Sequence, residues 1–178
     1  MKTLIVGGVA GGASAAARLR RLDEKAEVLL LERGEYISYA NCGLPYYIGG
    51  EITDADDLTL QTPKSFTARF AVDVRVRHEV VSIDPDQKSV RIKNLDTGET
   101  YDEPYDDLIL SPGAEPVRPP LPGMDDARVF TLRTIPDTLR IHGYLQSAKP
   151  RSAVVVGGGF IGLEMAENLV HAGVSVTV

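Results

Sequence analysis

The sequence predicts an α/β fold with two similar strand–loop–helix modules and antiparallel β-structure between them. The first module starts with the apolar run at residues 4–6, which leads through a glycine-rich loop into an alanine-rich stretch typical of a helix. A second apolar run, residues 28–31, follows that helix. Continuous apolar strands separated by a helix indicate a buried parallel sheet. The same order recurs from residue 154, so the chain contains an internal repeat.

The glycines of each module lie where the strand meets the helix. The first loop reads Gly7, Gly8, Val9, Ala10, Gly11 and Gly12, and the second reads Gly157, Gly158, Gly159, Phe160, Ile161 and Gly162. A tight turn of this kind lets backbone N–H groups and the positive end of the helix dipole face a pyrophosphate. We therefore interpret both modules as Rossmann-like dinucleotide-binding folds, as the strand–loop–helix context favours.

An acidic residue, Glu32, ends the second strand of the first module, where it would bind a ribose hydroxyl. The corresponding residue of the second module, which separates NAD from NADP, would fall shortly after Val178. Two dinucleotide sites on one chain are typical of a flavin enzyme that draws electrons from a nicotinamide. We expect FAD at the first loop and NAD(P)H at the second.

The segment between the two modules has a different pattern. Valines at residues 72, 74 and 76 alternate with charged residues, so one face of that strand would be exposed. The turn signal Asp96-Thr97-Gly98 between two short runs indicates a β-hairpin, and residues 108–110 form another buried strand. Prolines spread over residues 116–122 then make a stiff connector.

These patterns predict the domain organisation. Residues 1–113 form a Rossmann-like FAD-binding domain that includes Cys42 and a β-hairpin or meander insertion. Residues 114–150 form a connector that returns to this domain, and residues 151–178 form the first βαβ part of an NAD(P)-binding domain. A domain that ended at Val178 could not bury its first helix, so we expect the protein to continue.

Composition and charge exclude several classes of function. Hydrophobic residues make up 43% of the chain and charged residues 25%, which is ordinary for a globular protein. The net charge of −6 argues against a nucleic-acid-binding protein, whose footprint is basic. The apolar run at residues 153–163 is too short for a membrane span. A single cysteine excludes a disulfide framework and a cysteine-based zinc site, so we expect no metal and a reducing, cytoplasmic setting.

That cysteine, Cys42, is the candidate catalytic residue. The residues after it, Gly43, Leu44 and Pro45, suggest a loop that turns into a helix. A thiol at the start of a helix is more readily ionised and more nucleophilic, whereas a small buried hydrophobe is the alternative role. Because the chain has no second cysteine, Cys42 would cycle with an external thiol, a sulfenic acid or a persulfide.

The chain resembles the FAD-dependent pyridine nucleotide-disulfide oxidoreductases, above all the single-cysteine branch that reduces coenzyme A disulfide. Four segments carry the resemblance: the first glycine loop, residues 38–47 around Cys42, residues 111–114 and residues 157–164. Val9 in place of the middle glycine is usual for this branch. The resemblance implies that NAD(P)H reduces FAD and that FAD reduces a mixed disulfide between Cys42 and coenzyme A. It implies a homodimer that acts on a small-molecule disulfide or persulfide, with no nucleic acid or membrane partner.

A set of candidate binding residues follows. We expect FAD to contact the first loop together with Glu32, Arg33, Val80, Ser111, Pro112, Gly113 and Ala114. NAD(P)H would contact the second loop and Glu164. Coenzyme A would contact Ser14, Arg18, Arg21, Ser38 and Asn41. Arg18 and Arg21 lie three residues apart on one helix face and could meet phosphates, although a solvated basic face is the alternative.

Other functions stay open at this point. Polysulfide and persulfide reductases share nearly the same cysteine segment. The peroxidases and water-forming NADH oxidases of the superfamily carry a histidine in the first loop, where this sequence has Ala10. A different class of function would be a catalytically silent FAD-binding fragment or a thiol redox sensor.

Overall fold

The computed structural model describes residues 1–178, which divide into two compact units. The first unit comprises Met1–Tyr39 and Thr59–Gly113, and the second comprises Ala40–Leu58 and Ala114–Val178. The segment around Cys42 packs within the second unit, although it follows the first module in sequence. The assignment of residues 1–113, 114–150 and 151–178 to cofactor domains stays a prediction.

Strands and helices alternate along much of the chain. In order they are β1 (Lys2–Val6), α1 (Ala10–Leu22), β2 (Glu27–Glu32), α2 (Leu44–Gly49), α3 (Pro63–Phe70), β3 (Asp73–Val76), β4 (His78–Asp84), β5 (Ser89–Asn94), β6 (Thr100–Pro104), β7 (Asp107–Leu110), α4 (Ile135–Ala148), β8 (Ser152–Val154), α5 (Phe160–His171) and β9 (Ser175–Thr177). This content confirms the predicted α/β class.

A four-stranded parallel sheet forms the centre of the first unit. Its strand order is β3-β2-β1-β7, and every neighbouring pair is parallel. Ile5 and Leu30 pack with the helical residue Ala16 on one face of the sheet. Leu4 and Leu29 pack with residues of the inserted strands on the other face. Because both faces are covered, the strands read as continuous apolar runs rather than alternating ones.

The insertion is an antiparallel sheet in the order β4-β5-β6. Gly98, with φ +79°, lies in the turn between β5 and β6, so the predicted hairpin is confirmed. Val90 and Ile92 on β5 are fully buried against the parallel sheet. The insertion therefore covers the face of the parallel sheet that lies opposite α1.

An ionic network joins the two sheets of the first unit. The Glu103 carboxylate on β6 accepts hydrogen bonds from Lys2 on β1 and from Arg75 on β3, the latter at 2.7 Å. Arg75 also donates to the Tyr101 hydroxyl at 3.1 Å. Burial alone would raise the pKa of Glu103, but the bonds from Lys2 and Arg75 outweigh it and lower that pKa. The hydrogen bond to Glu103 raises the pKa of Lys2.

The second unit combines a short parallel strand pair, β8 and β9, with helices α2, α4 and α5. Its core joins Ile48 of α2 and Ile141 of α4 to Met165 and Leu169 of α5. Helix α4 begins with a reciprocal capping box between Thr134 and Asp137, which satisfies N–H groups at its start. The second module thus repeats the strand–loop–helix–strand order of the first.

Two details refine the expectations. Strand β7 lies at the edge of its sheet and Leu110 is 57% exposed, so the predicted burial of residues 108–110 is wrong at the end of the strand. None of the helices is both long enough and apolar enough to cross a membrane.

Candidate dinucleotide-binding and thiol sites

The first glycine loop is closed by backbone contacts that leave no room for a side chain at Gly7 or Gly12. Gly7 has φ +96°, and a Cβ built on it would lie 2.1 Å from the Ser111 carbonyl oxygen. A Cβ on Gly12 would lie 1.8 Å from the Gly7 carbonyl oxygen. Only glycines at these two positions allow the close approach of strand β1, the end of β7 and the first turn of α1.

Glu32 ties the end of β2 to the same loop. One carboxylate oxygen accepts a hydrogen bond from the Gly8 N–H at 2.7 Å, and the other accepts one from the Gly34 N–H at 2.7 Å. Each oxygen of an ionised carboxylate has two lone pairs, so each retains one acceptor site. The carboxylate can hold the loop and still accept a ribose hydroxyl.

The first turn of α1 offers unpaired N–H groups to a ligand. No side chain caps this helix, and no acidic residue occupies its first turn. The first N–H groups of a helix have no partner within the helix, and its dipole favours an anion there. Together with the glycines of the loop, which leave its backbone accessible, this arrangement fits the pyrophosphate of a dinucleotide.

The second glycine loop repeats the internal geometry of the first. Gly157 has φ +109°, and a Cβ on Gly162 would lie 2.1 Å from the Gly157 carbonyl oxygen. Helix α5 likewise starts without a side-chain cap or a first-turn acid. In contrast to the first loop, a Cβ on Gly157, Gly158 or Gly159 would meet no atom within 4 Å. Phe160 is 90% exposed, so the outer side of this loop is open.

Cys42 lies in a 3₁₀ turn, Asn41–Gly43, that leads directly into α2. The predicted passage from loop to helix is confirmed. The Gly43 N–H donates to the Ala40 carbonyl at 2.9 Å, and the Ala40 N–H donates to the Leu58 carbonyl at 2.8 Å. The thiol is free and exposed, which contradicts a buried packing role. No group of three or more His, Cys, Asp or Glu side chains is arranged to hold a metal ion.

Helix α1 presents a basic face. Ser14, Arg18 and Arg21 are exposed, and their spacing places them along one side of the helix. Neither Arg18 nor Arg21 makes a hydrogen bond or ion pair. Arg20, in contrast, donates to the carbonyls of Phe70 and Ala71, each at 2.8 Å. The two arginines predicted to meet phosphates are therefore the two that remain available for an anion.

Ser38 adopts a strained backbone conformation next to the first loop. Its φ is +45°, a region that non-glycine residues rarely occupy. Its N–H donates to the Gly8 carbonyl at 2.9 Å, and its carbonyl accepts from Leu60 at 2.9 Å. Such strain persists where surrounding contacts impose it, as is common at functional sites.

The remaining predicted residues are distributed over both units. Arg33 lies 3.8 Å from the Glu79 carboxylate, and Val80 packs against the core beside an irregularity in the β4–β5 pairing. The Ser111 N–H donates to the Val6 carbonyl at 2.8 Å, and Pro112, Gly113 and Ala114 are exposed. Asn41, the second loop and Glu164 belong to the second unit with Cys42. The structure therefore brings Glu32, Ser38 and Ser111 together at the first loop.

Known proteins are similar to this chain over almost its whole length. The family described as pyridine nucleotide-disulphide oxidoreductase matches residues 1–178. The chain belongs to the pyridine nucleotide-disulphide oxidoreductase family. The coenzyme A disulfide reductase of Staphylococcus epidermidis is 43% identical over 176 residues, which are 99% of this chain and 40% of that protein. The chain spans less than half the length of this curated relative.

Solved structures of family members agree with the chain in detail. Reduced CoADR-RHD of Bacillus anthracis is 58% identical with a TM-score of 0.96, over 98% of this chain and 32% of that one. The NAD-dependent persulfide reductase of A. fulgidus is 35% identical with a TM-score of 0.95, over 100% of this chain and 34% of that one. The two proteins carry different names, although both folds agree closely with that of this chain.

One buried polar residue of this oxidoreductase chain was not predicted from the sequence. Asn168 on α5 is 2% exposed and lies between Met165 and Leu169 on the buried side of the helix. A polar residue inside an apolar helical stripe was the signal that could have identified it. Its contact, Gly49 on α2, could not have been identified because the sequence does not reveal which helices pack together.

Proposed function

We propose that this chain supplies the FAD-binding and redox-thiol part of an NAD(P)H-dependent enzyme that reduces coenzyme A disulfide through Cys42. The observation that carries the proposal is the single exposed thiol on a chain with two loops that both fit a pyrophosphate. One thiol cannot form an internal disulfide, so the second sulfur of any disulfide that Cys42 forms must come from outside these residues. A disulfide substrate provides such a partner.

Cys42 would carry out the exchange as a nucleophile. Its thiolate forms an S–S bond with one sulfur of coenzyme A disulfide, the original S–S bond breaks, and the second coenzyme A leaves as a thiolate. FAD, when bound, would pass two electrons from NAD(P)H to the resulting mixed disulfide. With one proton, these electrons yield the Cys42 thiolate and the second coenzyme A thiol.

The basic face of α1 supports a substrate that carries phosphates. Arg18 and Arg21 are exposed and unpaired, and guanidinium groups bind phosphate through directed, charge-assisted hydrogen bonds. Ser14 lies on the same face as a further hydrogen-bonding group. We assign these residues, together with Ser38 and Asn41, to the coenzyme A site. Relatives named for coenzyme A disulfide support this choice of substrate.

The decisive experiment examines the thiol in the full-length protein purified without reductant. Intact-mass spectra should show coenzyme A bound covalently to Cys42 and released by dithiothreitol. Replacing Cys42→Ser should abolish the adduct and disulfide turnover while FAD stays bound. A Cys42→Ser protein with normal disulfide turnover would overturn the mechanism.

Persulfide or polysulfide reduction is the second candidate, favoured by the fold match to the A. fulgidus persulfide reductase. Steady-state rates with coenzyme A disulfide and with polysulfide, measured side by side, distinguish the two. A cysteine that carries a persulfide and never coenzyme A would favour this candidate. A sulfenic acid would favour an NADH oxidase or peroxidase, and an enzyme inactive with every substrate would favour a silent fragment or redox sensor.

A further inference from the structure

Asn168 occupies a position where an aliphatic side chain would be expected. The apolar core on this side of α5 includes Ile48, Ile141, Met165 and Leu169. Burying an amide among apolar groups is unfavourable unless the amide is hydrogen-bonded. The Asn168 Nδ2 donates to the Glu164 carbonyl oxygen at 2.8 Å, one helical turn earlier. This bond orients the carboxamide on the surface of α5.

The oriented carboxamide lies directly against the backbone of α2. A Cβ built on Gly49 would come within 2.3 Å of Asn168 Oδ1 and 3.0 Å of its Cβ and Cγ. Gly49 does not have a positive φ, so proximity rather than backbone conformation requires a glycine there. The pair fixes how closely α2 approaches α5, because packed interiors do not absorb such overlaps.

Helix α2 connects this contact to the thiol through a short, well-anchored segment. The helix follows Cys42 after one residue and is only six residues long. Ile48 is buried, and the N–H groups of Glu51 and Ile52 both donate to the Tyr46 carbonyl at 3.0 and 3.2 Å. A displacement of α2 at Gly49 would therefore move the turn that carries Cys42.

On the α5 side, the Gly49–Asn168 contact lies close in sequence to the second glycine loop. Asn168 is bonded to the carbonyl of Glu164, which lies two residues after the loop glycine Gly162. Gly157–Gly162, α5, α2 and Cys42 all belong to the second unit.

We propose that Asn168 is a positioning residue for Cys42, and that with Gly49 it holds the thiol-bearing segment in register with the helix of the second glycine loop. This inference rests on the proposed redox function of Cys42. It does not depend on which disulfide is reduced.

The test compares variants of the full-length, FAD-loaded protein. The first readout is the rate of Cys42 alkylation by iodoacetamide from pH 6 to pH 9. The second readout is the turnover number with coenzyme A disulfide as substrate, together with the KM for NADH. We expect Gly49→Ala to change the alkylation rate at least threefold and to lower the turnover number at least tenfold, with KM altered less than twofold. Gly143→Ala on α4 is the matched control, since a Cβ there meets nothing within 4 Å.

The double variant Gly49→Ala/Asn168→Gly provides the rescue. It removes all three Asn168 atoms that approach the new Cβ, and that Cβ then takes over the spacing between α2 and α5 that the carboxamide set. The alkylation rate should therefore return to within twofold of the unaltered protein, in contrast to a variant that only loses the Asn168 carboxamide. Failure of the rescue, or an unchanged alkylation rate in Gly49→Ala with only a lower melting temperature, would overturn the proposal.

If Gly49→Ala does not fold, Asn168→Ala serves in its place because it introduces no overlap. It should change the alkylation rate at least threefold, and an unchanged rate would overturn the proposal. Alkylation reports the thiol directly, so an error in the proposed substrate would leave this result intact.

Discussion

The two glycine loops have the same internal geometry and very different surroundings. In both, the first glycine has positive φ, and a Cβ on the last would lie about as close to its carbonyl, at 1.8 Å for Gly12 and 2.1 Å for Gly162. Around the first loop, Ser111, Ile37, Leu30 and Glu32 fill the space beside the glycines, whereas the outer glycines of the second loop meet nothing within 4 Å. The comparison separates glycines that neighbouring atoms of the fold require from glycines whose Cβ position is open.

The largest expected effect contrasts the first glycine of each loop. Gly7→Ala combines a positive φ with an overlap against the Ser111 carbonyl and should destabilise the protein by about 3 kcal/mol or more. Gly157→Ala carries only the conformational penalty of about 1–2 kcal/mol. Chemical denaturation of the two variants measures the difference. Equal losses of stability in the two variants would contradict the difference between the two loops.

The second prediction uses the middle position, which is Val9 in the first loop and Gly159 in the second. Gly159 has extended backbone with φ −73°, and its Cβ position is open, so Gly159→Val should fold normally. The new side chain would obstruct a pyrophosphate and weaken NAD(P)H binding about 100-fold, or ~2.7 kcal/mol, while FAD stays bound. Isothermal titration with the flavin-loaded protein measures this. Loss of FAD with intact NAD(P)H binding would reverse the assignment of the loops.

The third prediction concerns Glu32. Glu32→Ala removes the acceptor for two backbone N–H groups and the proposed ribose contact, each a charge-assisted bond. FAD affinity should fall by about 1.5–3 kcal/mol. Glu32→Gln is the sharper comparison, because its amide has a single oxygen and can satisfy only one of the two N–H groups. Unchanged FAD retention in both variants would contradict the role assigned to Glu32.

The smallest effect belongs to the ionic network around Glu103. Its pKa is lowered in the folded state, so its contribution to stability is present above the ordinary carboxyl pKa and is lost as pH falls through the folded value. The raised pKa of Lys2 adds stability that is present at neutral pH and is lost only above 10.5. Glu103→Gln should therefore lower stability near pH 7 by about 1–2 kcal/mol and flatten its decline in acid.

Melting temperatures from pH 3 to pH 7 test this last prediction. Asp102→Asn is the exposed control on the same strand, because Asp102 pairs with Arg91 at the surface and exposed pairs contribute little. An equal flattening in both variants would show that the network is no stronger than a surface ion pair.

The two modules and the hairpin could be predicted from the sequence, but strand order and helix packing could not. Periodicity and glycine spacing predicted both modules and the hairpin, because local rules govern a strand–loop–helix turn. The exposure of Leu110 at the edge of the sheet depends on strand order, and the Gly49–Asn168 contact depends on helix packing. Such tertiary relations leave no local pattern. The packing of residues 40–58 with the second unit was unexpected for the same reason.

Arg20 gives the first unit a link that acid leaves intact. Its guanidinium donates to the carbonyls of Phe70, Ala71 and Glu24, the last at 2.6 Å, and pairs with no carboxylate. Backbone carbonyls carry no acidic group that acid could neutralise, so acidification does not remove the acceptors of these bonds. On acidification the inserted sheet would lose the network that fastens it, while the ends of α1 and α3 would stay tied together. Acidification should therefore weaken the attachment of the inserted sheet before it weakens the link between α1 and α3.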